Sequence, residues 1–298
     1  MNMIYKAPVL LLFIMSLGGY LSSEVIKGTY SRKNNDTVDG YYRYTAFVSI
    51  ACSIILFILS GGVIKASIFT IGMGAIFGLV VTGQIAASSA AMRIGSWSYT
   101  SVMMALSTII PGLSGVLFWG EPFGLVKCIG ILFMIICFVL SVQNDEKNEG
   151  KKKNNVRWLL FSIVASLSTG GMGIVQKIHQ SSVYKNERLS FLIIAFVCAA
   201  VFSLVLMSVS GKKQKSSIQK RKILILIFVG AGLATVINHV INLYLSGTVE
   251  SLLFFPVMSG GEIISVTLTS VIDFKEKLNK KQWTGLICGI FATVILCM

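Results

Sequence analysis

Ten stretches of this chain are apolar for about 20 residues at a time, the length a helix needs to cross a hydrocarbon core about 30 Å thick. They fall at about 8–27, 43–62, 66–91, 97–119, 123–142, 157–176, 189–210, 222–245, 249–272 and 282–298. A chain in lipid satisfies its backbone only as helices or as a closed barrel. Barrel strands alternate polar and apolar residues over about ten positions, and these runs do not. They therefore read as helices, and the N-terminal run as a first span rather than a cleaved leader. Composition agrees: 54% of residues are hydrophobic and 13% are charged, too few polar groups to coat a soluble protein of this size. The expected fold is an all-α integral membrane protein of about ten transmembrane helices.

The net charge is +14. On a soluble protein that points to nucleic acid. Here the cations sit in connectors, as at Lys212, Lys213, Lys215, Lys220, Arg221 and Lys222, where they set topology and meet anionic headgroups. No nucleic-acid partner is expected. The six cysteines lie within apolar runs and read as small buried hydrophobes. Neither they nor the two histidines have metal-ligand spacing, and no glycine-rich loop follows a strand. No cofactor or metal is expected.

Residues 143–156 are the most polar stretch and lie near the midpoint, so they read as a linker between halves 1–142 and 157–298. The halves resemble each other. Glu121 and Gly130 match Glu276 and Gly285 at an offset of 155, and Gly78-Leu79 matches Gly232-Leu233 at 154. Near the starts, Ser16 to Gly19 lies over Ser168 to Gly171 at 152. At the offset of 154, Gln84 falls on Asn238. A five-span unit ends on the side opposite its start, so the second copy is inserted upside down. Inverted repeats place a site near the midplane between the copies.

Four stretches resemble the drug/metabolite transporter superfamily in its ten-helix EamA-like form: Gly19 through Glu24 to Lys27, Ala90 to Tyr99, Pro111 through Glu121 to Gly130, and the repeat around Glu276 and Gly285. The second half departs from the pattern, since Pro111 aligns with Val266 and its only proline is Pro256. The resemblance implies two inverted five-helix repeats. It implies a central cavity lined by helices 1, 3, 4, 6, 8 and 9. It also suggests a bacterial plasma membrane. Independently, the strongly polar residues inside spans concentrate in 1, 3, 6, 8 and 9, as a polar cavity needs.

Glu262 is the sharpest candidate, a carboxyl in the middle of the ninth span, where charge is costly and usually functional. Phe255, Ser259, Glu262, Ser265 and Thr269 recur at helical spacing as one stripe. Such a group can carry a proton or hold a cation; the alternative is a protonated acid bonded to a neighbouring helix. Asn238, His239 and Asn242 cluster in the eighth span, with Gln84 as the repeat equivalent of Asn238. Amides and a histidine can bind a polar metabolite or simply join helices. Trp97, Ser101, Met104 and Thr108 form a face on the fourth helix, able to hold a cation or ring or to lie in an interfacial aromatic belt. Glu24 and Lys27 read as an i, i+3 ion pair or as the first-helix acid of small multidrug relatives. Glu121 and Glu276 read as caps on the helices that follow them, the fifth and tenth.

These features predict a secondary transporter of a small metabolite or organic cation, working by alternating access and either proton-coupled or an exchanger. Its expected partners are a small-molecule substrate, the lipid bilayer and protons. Two alternatives fit the same features: a flippase of a lipid-linked head group, and a non-transporting receptor or assembly subunit. No base, nucleophile and metal set within the bilayer supports an enzyme. Orientation stays open. Connectors after the odd-numbered spans hold 20 of the 26 Lys and Arg residues, which places the termini outside, whereas family habit places them in the cytoplasm.

Overall fold

The computed structural model describes residues 7–34, 38–94, 104, 107, 109–141, 152–209, 221–272 and 280–297. The helices are α1 (Ala7–Asn34), α2 (Val38–Leu59), α3 (Ile68–Ile94), α4 (Ile109–Trp119) and α5 (Leu125–Ser141). There follow α6 (Lys152–Ser181), a 3₁₀ turn (Lys185–Glu187), α7 (Arg188–Val209), α8 (Arg221–Thr248), α9 (Ser251–Ile272) and α10 (Lys280–Cys297). Among the described residues there is no strand. Six helical stretches among the described residues are long and apolar enough to cross a bilayer: Pro8–Lys27, Tyr42–Leu59, Ile68–Ser88, Val156–Ser181, Lys185–Val209 and Leu224–Thr248. Large apolar side chains stand exposed on them, with Ile58 and Leu226 both 70% exposed or more. Lipid, not water, is the solvent that tolerates such faces.

The chain forms two compact units. One comprises Leu12–Ala86 and Val175–Gly247; the other comprises Met1–Leu11, Ala87–Ile174 and Thr248–Met298. Each draws helices from both halves of the sequence. In the first unit α2 packs along α7. Close approaches hold this unit together. A Cβ on Gly78 of α3 would lie 2.4 Å from the Ala195 carbonyl oxygen of α7, and one on Gly232 of α8 would lie 2.8 Å from Ala51 Cβ of α2. Glycine lets these backbones meet without a side chain between them. Thr82 Oγ1 then lies 3.4 Å from the Ala199 carbonyl, and Cys52 Sγ 3.5 Å from that of Gly232. Tyr30, Tyr44 and Phe228 form an aromatic cluster joining α1, α2 and α8, with ring centroids 5.1–6.1 Å apart.

In the second unit α5 packs along α10 and α4 along α9. The expected continuous span over 97–119 differs here. Residues 95–103 lie outside the described residues, and α4 starts only at Ile109 after a turn at Ser107. Ile110 N–H donates to the Ser107 carbonyl at 3.0 Å, and Ser107 N–H to that of Met104 at 3.1 Å. The cause is Pro111. It has no N–H to give the Ser107 carbonyl, and its ring would clash with that group in a continuous α-helix. The turn is packed by α6, where a Cβ on Gly170 would lie 2.9 Å from the Ser107 carbonyl oxygen.

Candidate functional site

α8 carries three polar residues inside its apolar run, and its backbone sends them in two directions. Asn238 and Asn242, one turn apart, face α1. Asn238 Nδ2 donates to the Ser16 carbonyl at 3.0 Å and reaches Ser16 Oγ at 3.2 Å. Ser16 Oγ donates to Asn242 Oδ1 at 2.7 Å, and Asn242 Nδ2 donates to Asn238 Oδ1 at 3.3 Å. Gly19 makes the approach possible, since a Cβ there would sit 2.8 Å from the Ala234 carbonyl. Ser16 and Asn238 are buried and Asn242 is partly exposed. The amides thus act as an interhelical clamp, each bond contributing about 1 kcal/mol, with Asn242 at its open edge.

His239 faces the other way. Its ring makes edge contacts with Phe77 of α3 at 5.9 Å and Phe196 of α7 at 5.3 Å. Its Nδ1 is buried and has no hydrogen-bond partner among the described residues, a costly condition for a polar atom. Gln84 is partly buried on α3. These residues and the amide clamp all belong to the first unit.

Ser259 and Glu262 lie on α9 in the second unit. Ser259 is buried and Glu262 partly so. Pro256 stands inside α9 and removes the N–H that would pair with the Leu252 carbonyl, so the helix is locally weakened one and a half turns before Glu262. Phe255 packs on α6, where a Cβ on Gly173 would come within 2.8 Å of its ring. Trp97, Ser101 and Thr108 lie outside the described residues, as do the side chains of Ser265 and Thr269.

Two expectations about carboxylates are now decided. Glu24 and Lys27 form the i, i+3 ion pair. Glu121 caps a helix, but not α5, which follows it. Gly120, at φ 63°, ends α4 in a left-handed turn. This aims the Glu121 carboxylate at the start of α9, where it accepts the Ser251 N–H at 2.6 Å and the Ser251 hydroxyl at 3.0 Å. Gly115 leaves room for the carboxylate, since a Cβ there would lie 2.4 Å from Oε2. Beside it, Lys127 pairs with Glu250. Glu276 lies outside the described residues.

Sequence reasoning passed over one polar cluster. The connector expected over 177–188 is helical as far as Ser181, and Gln176, Lys177, His179 and Gln180 are all buried. The available signal was Ser67-x-x-Thr70 at the start of the third span, a capping pattern that needs polar neighbours.

The geometry can be set beside known proteins. None of the curated proteins matches the chain in sequence. Among solved structures, 28 chains are similar. One, a crystal structure of a protein, superposes with a TM-score of 0.71 over 96% of this chain and 96% of its own, at 11% identity. At that identity the likeness is of fold alone. Residues 156–298, which include the α8 clamp, His239 and Glu262, match the EamA-like transporter family. Over those residues, just under half of its length, the chain is similar to the EamA-like transporter family of the drug/metabolite transporter superfamily, and its long apolar helices are those of an integral membrane protein.

Proposed function

We propose that this protein is a secondary transporter of a small metabolite or organic cation, with Glu262 as the group that holds the cargo or exchanges it for a proton. The observation that carries the proposal is Glu262 itself, a carboxyl midway along the apolar α9, inside the family-matched half. Such a group in a membrane helix is rare unless it works. Ser259, buried one turn earlier, supplies a hydroxyl on the same face, and the interrupted ladder at Pro256 supplies a place to bend. Trp97 and Ser101 are the further cargo contacts in this reading, while Asn242, His239 and Gln84 are separate candidates within the first unit. Asn238 serves chiefly to hold α8 against α1.

Alternating access follows from an inverted repeat in which α1 to α5 correspond to α6 to α10. Several observations support that correspondence. The packed pairs α2–α7, α4–α9 and α5–α10 are each a helix with its own counterpart. Gly78 of α3 against α7 and Gly232 of α8 against α2 are matching contacts at matching positions. One compact unit takes α2 and α3 with α7 and α8, and the other takes α4 and α5 with α9 and α10. Paired packing of counterparts is what a pseudo-two-fold axis in the membrane plane requires. With no nucleotide-binding loop in the sequence, an ion or substrate gradient supplies the drive, and a bacterial plasma membrane supplies both.

The test is thermal stabilisation of the detergent-purified protein by a panel of amino acids, organic cations and nucleobases, at about pH 5.5 and about pH 7.5. A compound that stabilises the wild type in a pH-dependent way and loses that effect in Glu262→Gln names the cargo class and supports the assignment. Equal stabilisation of both proteins removes Glu262 from the site and transfers attention to Asn242 and His239.

A further inference from the structure

His179 lies in the last turn of α6 and is fully buried. Phe69 stacks on its ring at 6.3 Å, and Phe191 packs against it at 4.5 Å. Both ring nitrogens are engaged. Gln180 Nε2 lies 3.0 Å from Nδ1, and Thr70 Oγ1 lies 3.2 Å from Nε2. An amide NH₂ only donates. Nδ1 therefore accepts, so Nε2 carries the proton and donates to Thr70. The Thr70 hydroxyl in turn meets the Glu187 carboxylate. Glu187 also accepts the Ser67 N–H and the Ser67 hydroxyl, each at 2.9 Å. The order is Gln180, His179, Thr70, Glu187. Burial is complete at His179 and Thr70, while Ser67 and Glu187 are partly exposed.

Burial opposes a positive charge on this ring, and three features favour one. It sits at a helix C-terminus, where the dipole attracts cations. Two phenyl rings flank it. A carboxylate stands one hydroxyl away. The other titratable groups at this end are Lys65, Lys177, Tyr184, Lys185, Arg188 and Tyr244. Arg188 lies over the Tyr244 ring at 5.1 Å, and Tyr184 stacks on Phe69. The cations among them oppose loading, so Glu187 is the compensating group. A second ring proton goes onto Nδ1, which now faces an amide N–H. Gln180 must then turn its amide and present Oε1. That amide is wedged against the end of α8, since a Cβ on Gly247 would lie 2.8 Å from Gln180 Cβ and 3.3 Å from Oε1.

We propose that His179 is a proton-binding site, filled from the aqueous side on which Glu187 lies, with Glu187 as its counter-charge through Thr70 and the Gln180 amide as the part that moves. The site stands independently of the cargo and of Glu262. Loading takes one proton from water and breaks only the Gln180 Nε2–H···Nδ1 bond, which the turned amide replaces with Nδ1–H···Oε1.

The chain has two histidines, so ¹⁵N-histidine labelling of the full-length protein gives two imidazoles, assigned with His239→Gln or His179→Gln. Their nitrogen shifts are followed from about pH 5 to about pH 8.5. The expected result is a passage of His179 from the neutral Nε2–H form to the doubly protonated form within that range. Glu187→Gln and Thr70→Val each lower the midpoint by about half a unit or more, roughly threefold in proton affinity. In a second sample labelled with ¹⁵N-glutamine, the Gln180 side-chain amide, assigned with Gln180→Met, shifts with the same midpoint. A wild-type His179 that stays neutral across the range overturns the proposal whether or not the variants fold. So does a midpoint unmoved in both Glu187→Gln and Thr70→Val, or a Gln180 amide that ignores the titration.

Discussion

Helices α3 and α9 both begin under a carboxylate supplied by a distant connector, yet the two arrangements lead to different chemistry. At α9, Glu121 accepts the Ser251 N–H and hydroxyl. At α3, Glu187 accepts the Ser67 N–H and hydroxyl, while the Ser67 hydroxyl lies 3.2 Å from the Thr70 N–H. Both answer one requirement, since the first N–H groups of a helix have no partner within it, and in a membrane protein water is scarce. What differs is the next atom outward. Glu121 is enclosed by Gly115 and Ser251, with a static ion pair, Lys127–Glu250, alongside. Glu187 continues through Thr70 to a buried imidazole. A cap becomes a candidate sensor by one added hydroxyl contact.

The comparison can be broken most forcibly at Gly115. Gly115→Val places a Cβ 2.4 Å from Glu121 Oε2 and 2.6 Å from Ser251 Cβ. Overpacking of this kind costs about 1–3 kcal/mol, and the displaced cap adds to it. Thermal unfolding in detergent should show the largest loss of this series. Glu121→Ala should cost about 1–2 kcal/mol, as lost caps do. For Glu187→Gln the deficit should grow as pH falls through the titration of His179, because the counter-charge is missing when the ring is loaded. Parallel pH profiles for the two variants would erase the distinction between the caps. Lys127→Met should change stability least, by about 0.5 kcal/mol or less. A larger loss would mean that the ion pair, rather than Glu121, holds the start of α9.

Much of the fold was legible because lipid imposes one simple rule. The apolar runs predicted at 189–210, 222–245 and 249–272 became α7, α8 and α9 within a few residues. The failures have physical causes. α6 outlasts its apolar run because Gln176, Lys177, His179 and Gln180 are buried against protein, and hydropathy cannot distinguish that from a solvated loop. The turn at Ser107 depends on Pro111, four residues later. Asn238 and Asn242 were recognisable as one face, but their partner Ser16 is a hydroxyl in an apolar run 222 residues from Asn238. Nothing local announces such a bond. Glu121 was recognisable as a cap, while its target, 130 residues away, was not.

The proposed function is movement of a small solute past Glu262. Its most direct test is uptake of the compound that best stabilises the purified protein, measured in proteoliposomes containing wild type or Glu262→Gln. The account predicts saturable uptake by the wild type, driven by an imposed proton gradient or by counter-substrate, and a loss of tenfold or more, about 1.4 kcal/mol, in the variant. Uptake that does not saturate, or that survives Glu262→Gln unchanged, would contradict it.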